Sequence, residues 1–342
     1  METEMTEALD RKLERFQQSA ISEVFELFVR IFTVTLSSAV MLPYDIKISS
    51  VKVMTFKDYL QTVQVPASIN SFKIDPLDGH GLMVLDSKLV WSLLHAFYGG
   101  YGEPDTCFYR RTFSPMEMRL ANRLTVSGLE DLQFGWKMIA PVKISYLSAE
   151  SEPEKVDIIH GDSIVVICTI DVMVGSTPDR MAVCIPYVHF ESYFSQPRAV
   201  DRHKTPVVKD INDYLNSGYF LSPVQPFLQK TITSFPKELA TDETTEKTKP
   251  EADPQSDPQM KAYLADIDAE SLANCLIHEH PQTIALILAN ITDNSKKSIL
   301  MNRLPVKLRP EVEERMNYLL SIPSGVLTEI EEVLKEQIEA AE

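Results

Sequence analysis

A long stretch without core-forming side chains divides this chain of 342 residues. Residues 236–258 hold no aromatic and almost no aliphatic side chain, and eight of the chain's 21 prolines fall within 197–258. A segment of this composition cannot bury enough apolar area to offset the entropy of ordering it, so 236–258 is predicted to be a disordered linker. The chain therefore holds two folding units, which agrees with the roughly 150 residues typical of one domain.

The predicted organisation has three parts. Residues 1–220 form an α+β domain with a long N-terminal helix, 221–262 form a proline-rich acidic linker, and 263–342 form a small all-α domain. The formal net charge is −16, and ten of these excess negative charges lie in 236–342. Because an acidic chain is a poor ligand for DNA, RNA or anionic lipid, we expect no nucleic-acid partner and no direct contact with a membrane.

Strand-like and helix-like patterns alternate within 1–220. An apolar spacing typical of a helix runs through 5–40, and helices are also predicted at 87–98 and 114–132. Period-two alternation and turn residues predict six strands, at 45–54, 68–74, 81–85, 142–149, 163–174 and 180–186. This order favours a largely antiparallel sheet with helices, not a βαβ repeat.

No strand pattern occurs in 263–342. Short amphipathic stretches separated by prolines predict five helices, at 268–278, 281–291, 295–304, 309–322 and 324–341. Short helices joined by very short turns are typical of a right-angled helical module of the armadillo kind.

Motifs for common enzyme chemistry are absent from the sequence. It lacks G-x-x-x-x-G-K-[ST], G-x-G-x-x-G after a strand, and H-E-x-x-H. The four cysteines form no C-x-x-C pair and are expected to be reduced, and no stretch reads as a signal peptide or a transmembrane helix. We expect a cytoplasmic protein that is not an enzyme and needs no cofactor or metal, although a triad assembled in space would leave no such motif.

A glycine cluster is the first feature that suggests binding. Only 11 residues are glycine, yet three of them fall within four positions, as Gly99, Gly100, Tyr101 and Gly102. A helix C-cap followed by a turn would use one or two glycines at positive φ. The third is consistent with exposed backbone that a partner approaches closely. Both interpretations stay open from the residues alone.

A polar cluster at the start of an apolar run is the second such feature. It consists of Glu279, His280, Pro281, Gln282 and Thr283. One interpretation is a helix start, with proline at the first helical position and an acidic residue near the positive end of the dipole. The other is an exposed polar cluster that meets the backbone of a partner loop.

Residues of roughly 10–220 resemble the FliM family of flagellar motor switch proteins, through its middle domain. The matching segments are SINSFKIDPLDGHGLMVLDSKLVWSLLHAFYGGYG, FSPMEMRLANRLTVSGLEDL, RMAVCIPY and DYLNSGYF. Residues 263–342 resemble the middle domain of the FliG family, through IHEHPQTIALILANI, LPVKLRPEVEERM and SGVLTEIEEVL. The resemblance implies a pseudo-symmetric sheet-and-helix domain of the CheC/FliM kind, followed by an armadillo-like domain.

In these families the Gly-Gly-X-Gly loop of FliM docks on the Glu-His-Pro-Gln region of FliG. The resemblance therefore implies that 99–102 bind a FliG-type partner and 279–283 a FliM-type partner, within one chain or head to tail. It implies a non-enzymatic scaffold subunit of the C-ring, at the cytoplasmic face of the flagellar basal body, that contributes to assembly and rotation switching. The chain departs from the families in its ends: METEMTEALDRKL does not match the acidic peptide that begins FliM, and no strand-rich segment follows Phe220.

Two alternatives to a scaffold stay open. One is a regulatory decoy that occupies FliM or FliG sites and limits assembly. The other is a phosphatase of the CheC type, because the FliM middle domain resembles those enzymes. Such a phosphatase needs a Glu four residues after its acidic or Ser position, but Met118 follows Ser114 at that distance, and Glu117 and Asn122 are out of register.

Overall fold

The structure, a computed structural model, describes most of both predicted domains. The described residues are 15–39, 44–77, 79–100, 111–136, 140–174, 177–194, 258–320, 322 and 325–341. The linker predicted at 236–258 lies outside them except for Pro258, and so do Tyr101, Gly102 and the first ten residues of the helix predicted at 5–40.

The first unit contains five helices and six strands among its described residues. In chain order they are α1 (Arg15–Ala39), β1 (Tyr44–Thr55), α2 (Phe56–Thr62), β2 (Ala67–Asp75), β3 (Gly79–Asp86), α3 (Ser87–Phe97), α4 (Pro115–Trp136), β4 (Lys143–Glu150), β5 (Ile164–Val174), β6 (Thr177–Pro186) and α5 (Tyr187–Phe194). All six predicted strands are present. The short helices α2 and α5 were not predicted, because seven and eight residues are too few for a helical period to emerge from the sequence.

The six strands form one sheet in the order β1-β5-β6-β3-β2-β4, and every described neighbour pair is antiparallel. The order is symmetric: exchanging the first three strands with the last three returns the same sheet in reverse. Each half thus donates its first strand to the edge of the other half. This arrangement confirms the predicted α+β class and its pseudo-symmetry.

Both faces of the sheet are covered, which explains the nearly continuous apolar runs of its central strands. On β5, Val166 and Cys168 belong to the large core under the long helices, whereas Val165 and Ile167 belong to a smaller core on the opposite face. Helices α1 and α4 pack together over the first face. Helix α2 covers the second face with the buried side chains of Phe56 and Tyr59.

The second unit consists of six helices among its described residues. They are α6 (Pro258–Asp266), α7 (Ala269–Leu276), α8 (Pro281–Ala289), α9 (Asn294–Arg303), α10 (Arg309–Asn317) and α11 (Val326–Ala341). Helix α8 is apolar around its circumference and forms the centre of the unit, since all its residues from 281 to 288 are buried. Among the described helices, none combines the length and apolar content needed to cross a bilayer.

Helix α6 was not predicted, and the boundary predicted between 262 and 263 falls inside it. Its buried Met260 and Leu264 attach it to the core of the second unit. Lys296 donates from Nζ to the carbonyl oxygens of Leu264 at 2.6 Å and Ala265 at 3.2 Å, and also to that of Ile267. A cation bound to the last carbonyls of a helix stabilises its C-terminus. The helix starts at a proline and directly follows acidic, proline-rich sequence, which explains why it reads as linker.

Candidate docking interface between the two units

The C-terminal end of α3 is closed by a glycine in the left-handed region. Gly99 has φ of 72°, its N–H donates to the Ala96 carbonyl, and the N–H of Gly100 donates to the His95 carbonyl at 2.8 Å. These bonds form a Schellman motif, in which glycine is preferred because other residues resist positive φ. The helix C-cap interpretation therefore explains part of the glycine cluster.

A close approach by the second unit is the other reason for a glycine at position 99. A Cβ on Gly99 would lie 2.5 Å from the carbonyl oxygen of Leu320 and 3.0 Å from Cγ2 of Ile322. The Leu320 N–H donates to the Gly99 carbonyl at 2.8 Å. Gly100 has a different neighbour, since a Cβ there would meet the ring of His95 in its own unit at 2.4 Å. Of the two glycines of the cluster that the structure describes, Gly99 is therefore the one that the contact between the units requires.

The polar cluster at 279–283 starts helix α8. Pro281 occupies its first turn, and His280 is the N-cap, with Nδ1 accepting from the Gln282 N–H at 3.1 Å. The expectation of an exposed cluster does not hold in this docked chain. Glu279, His280, Gln282 and Thr283 are all at most 2% exposed. Their burial follows from the first unit lying against this end of α8.

Gln282 joins the two units directly. Its Nε2 donates to the carbonyl oxygen of Tyr98 at 2.8 Å, and its Oε1 accepts from Nη1 of Arg315 at 3.1 Å. The same Arg315 nitrogen lies 2.7 Å from Nδ1 of His95 on α3. Donors from the second unit thus satisfy the carbonyls of Tyr98 and Gly99, which a helix end leaves without intrahelical partners. Arg315 also places a cation near the negative end of the α3 dipole.

Glu279 contacts the start of α4. Its Oε2 accepts from Oγ of Ser114 at 2.6 Å. Ser114 and Glu117 form a capping box: the Ser114 N–H donates to Glu117 Oε2 at 2.8 Å, and the Glu117 N–H donates to Ser114 Oγ at 3.2 Å. Arg111 binds both oxygens of the buried Glu117 carboxylate. Ser114 therefore links a buried carboxylate of each unit, that of Glu279 through its hydroxyl and that of Glu117 through its backbone N–H.

Two ionisable groups of the cluster are strongly perturbed by the contact. Burial raises the pKa of the Glu279 carboxyl to about 7 against the hydrogen bond from Ser114, and the neighbouring Glu117 carboxylate raises it further. Burial lowers the pKa of His280 well below its usual range, and the cation of Arg315 lowers it further. The interface therefore favours a protonated Glu279 and a neutral His280.

A row of ion pairs extends the contact along α4 and α11. Arg123 pairs with Glu329 at 2.5 Å, and Arg119 pairs with Glu332 at 3.1 Å and Glu336 at 3.9 Å. Arginines four residues apart share one helix face, and so do glutamates three, four and seven residues apart. Sequence reasoning missed this row and Arg315, although the matched spacing of opposite charges on α4 and α11 was a readable signal.

Apolar contact accompanies these polar bonds. The buried apolar residues of both units, including Phe97 and Tyr98 of the first and Ile322 and Val326 of the second, belong to one continuous cluster. Among the described residues, no group of three or more His, Cys, Asp or Glu is placed to hold a metal ion. The site built here binds one polypeptide surface to another through backbone carbonyls, a glutamine, an arginine and paired charges.

The fold and this site define a class of protein: a pseudo-symmetric α+β unit with a helical module docked on the end of one helix. A family model described as "Flagellar motor switch protein FliM" matches residues 14–197, and one described as "FliG middle domain" matches 269–342. The chain belongs to the FliM family, and it joins a FliM middle domain to a FliG middle domain.

Curated relatives and solved structures are similar to the first unit. FliM of Pseudomonas aeruginosa is 26% identical over 180 residues, which cover 53% of this chain and 55% of the relative. FliM of Escherichia coli is 26% identical over 182 residues, covering 53% and 54%. The chain thus spans about half the length of the curated relatives it matches. A chain in the crystal structure of the FliG–FliM complex from H. pylori is 21% identical with a TM-score of 0.51, covering 54% of this chain and 100% of that one.

Proposed function

We propose that the protein is a non-enzymatic scaffold subunit of the flagellar motor switch, the C-ring, and that one chain supplies both surfaces of a FliM–FliG contact. The observation that carries this proposal is the pair of backbone carbonyls at the end of α3. Tyr98 accepts from Gln282 and Gly99 accepts from Leu320 of the second unit. The surface at the end of α3 lies in the FliM-like unit, and the surface at 279–283 lies in the FliG-like unit. This is the distribution that the family resemblance implies.

The proposed partners follow from the same surfaces. A FliG-type partner binds at Gly99, Gly100, Tyr101 and Gly102, and a FliM-type partner binds at 279–283. In the docked chain each surface holds the other, so a subunit in this state presents its remaining faces to the switch. A neighbouring chain that replaced the intramolecular contact would extend the assembly head to tail. The complex of FliG with FliM from H. pylori supports a contact of this kind.

Such a subunit works at the cytoplasmic face of the flagellar basal body, contributes to assembly and rotation switching, and contacts the membrane only indirectly. The phosphatase alternative loses support from the interface, because Ser114 and Glu117 are bound to each other, to Arg111 and to Glu279. Neither side chain is positioned to orient a water molecule while the units are docked.

Purification of basal bodies from the bacterium that carries the chain tests the proposal. We expect the full-length protein to copurify with the switch, and the Gln282→Ala variant to be depleted from it. Gln61→Ala, at an exposed position of α2, is the matched control and should copurify normally. A protein found only outside motors, whose overproduction reduces swimming, would instead be a decoy. Release of phosphate from a phosphorylated response regulator by the purified chain would contradict the non-enzymatic assignment.

A further inference from the structure

Two adjoining cavities lie between α2 and the start of α3, away from the docking interface. The first has a volume of about 370 Å³ and is lined by Asp86, Lys88, Asp171, Asp179 and Arg180, among others. The second has a volume of about 410 Å³ and shares Asp86 and Arg180 with the first. Each cavity is within the size range of small-molecule sites.

Asp179, close to Ser92 and Lys88 of α3, is a buried acid. Its side chain is 4% exposed and lines the first cavity, and neither of its carboxylate oxygens has a hydrogen-bond partner among the described residues. Burial raises its pKa to about 6, against the influence of Ser92 and Lys88, so the group is mainly ionised at neutral pH. A buried polar group without a partner is costly, and such groups in native proteins generally have a reason.

The charges around the first cavity compensate this acid only in part. Three carboxylates face two cations, and Nε of Arg180 lies 3.6 Å from Oδ1 of Asp171. The Lys88 ammonium acts on the carboxyls of both Asp86 and Asp179. The first cavity therefore carries an excess of one negative charge, at an acid that accepts hydrogen bonds from N–H donors.

The second cavity has the opposite character. It adds the ammonium of Lys52 to the Asp86 and Arg180 side chains that it shares with the first cavity. Tyr59 also lines it: this side chain is 4% exposed, and its hydroxyl has no hydrogen-bond partner among the described residues. A hydroxyl donor in the same cavity as the Lys52 ammonium suits an anionic or strongly accepting group.

We propose that the two cavities together bind a small organic zwitterion. Its ammonium group donates to Asp179, and its carboxylate accepts from Tyr59 and faces Lys52. The site begins where α3 begins, and the docking interface lies where α3 ends. The 11 residues of that helix separate the two by roughly 16 Å, so the site is distinct from the surfaces of the proposed function.

Isothermal titration of the full-length protein with a series of ω-amino acids, from β-alanine to 6-aminohexanoate, tests this site. We expect one length in the series to bind best, and putrescine and the matching simple carboxylic acid to bind more weakly. Asp179→Asn should lower the affinity roughly tenfold or more, and Tyr59→Phe roughly fivefold. Binding should weaken as the pH falls below about 6, because Asp179 then gains a proton.

Asp162→Asn, at an exposed position before β5, is the matched control and should bind like the parent. Thermal melting checks folding: Asp179→Asn should melt no lower than the parent, because it removes a buried charge without a partner. The absence of binding to every member of the series at millimolar concentration would overturn the proposal. So would binding that Asp179→Asn leaves unchanged, or a site that takes up Mg²⁺ alone and no amine.

Discussion

The carbonyl oxygen of Gly99 accepts the backbone N–H of Leu320 at 2.8 Å, 221 positions further along the chain. The approach requires a residue without a Cβ at position 99, since a Cβ there would lie 2.5 Å from the carbonyl oxygen of Leu320. Gly99 meets that condition, and its positive φ also closes helix α3. One glycine therefore ends a helix in the first unit and admits the second unit.

Replacement of Gly99 by alanine should separate the unfolding of the two units. Left-handed backbone costs an L-residue about 1–2 kcal/mol, and the new Cβ would also overlap the Leu320 carbonyl. Urea unfolding, followed in parallel by the fluorescence of Trp91 and Trp136 and by far-UV circular dichroism, should change from one coincident transition to two. Gly161→Ala is the control, because its Cβ would meet its nearest neighbour at an ordinary 3.6 Å. Equal behaviour of the two variants would contradict this role of Gly99.

Gln282→Ala should weaken docking without unfolding α8. The variant leaves the Tyr98 carbonyl and the Arg315 guanidinium each without one partner, at an expected cost of about 1–3 kcal/mol. The N-cap bond of α8 uses the backbone N–H of residue 282, so it survives the substitution. Hydrogen exchange should show faster opening at the interface and unchanged protection within α8. Loss of protection throughout α8 would mean that the glutamine stabilises the helix itself.

Glu279→Gln should remove a pH dependence of docking. The folded-state pKa of about 7 lies above the ordinary value near 4.5, so the carboxyl takes up a proton on docking. Its contribution is fully present below about pH 4.5 and is lost as the pH rises through about 7. Urea unfolding should therefore show the parent losing roughly 2 kcal/mol relative to the variant between pH 5 and 7.5.

The comparison with Glu279→Gln cancels the contribution of His280, whose lowered pKa acts in the opposite direction because its protonation opposes docking at acidic pH. A stability difference between parent and variant that stays constant over this range would show that Glu279 does not change its protonation on docking.

Charge reversal should break and then restore the row of ion pairs. Arg123→Glu places like charges opposite Glu329, and the double variant with Glu329→Arg reverses the pair and recovers docking. Arg123 is the better target because its side chain is 13% exposed, whereas Arg119 is 45% exposed and solvent screens its bonds. Reversal of the exposed pair between Lys155 and Glu152 is the control. A double variant no better than the single ones would argue against pairing of α4 with α11.

Much of the fold could be predicted because its signals are local. Alternating and apolar strands of seven or more residues and prolines at helix starts each report on their own segment. The three missed helices have weak local signals: α2 and α5 are seven and eight residues long, and α6 follows directly on proline-rich acidic sequence. Tertiary packing of Phe56, Tyr59, Phe190, Met260 and Leu264 decides all three.

The interface residues also differ in whether they carry a local sequence signal. Gly99 and the cluster at 279–283 could be found because unusual residues stand together in the chain. Ser114, His95 and Arg315 could not, since they act through neighbours that are 165, 220 and 33 positions away. The burial of Glu279 could not be predicted either, because it arises only when the two units meet.

The most direct test of the intramolecular contact is hydrogen exchange at the backbone amide of Leu320 in the full-length protein, measured over a series of protein concentrations. The account predicts slow exchange that is independent of concentration in the parent and fast exchange in Gln282→Ala. Fast exchange in the parent, or protection that appears only as the concentration rises, would contradict docking of the two units within one chain.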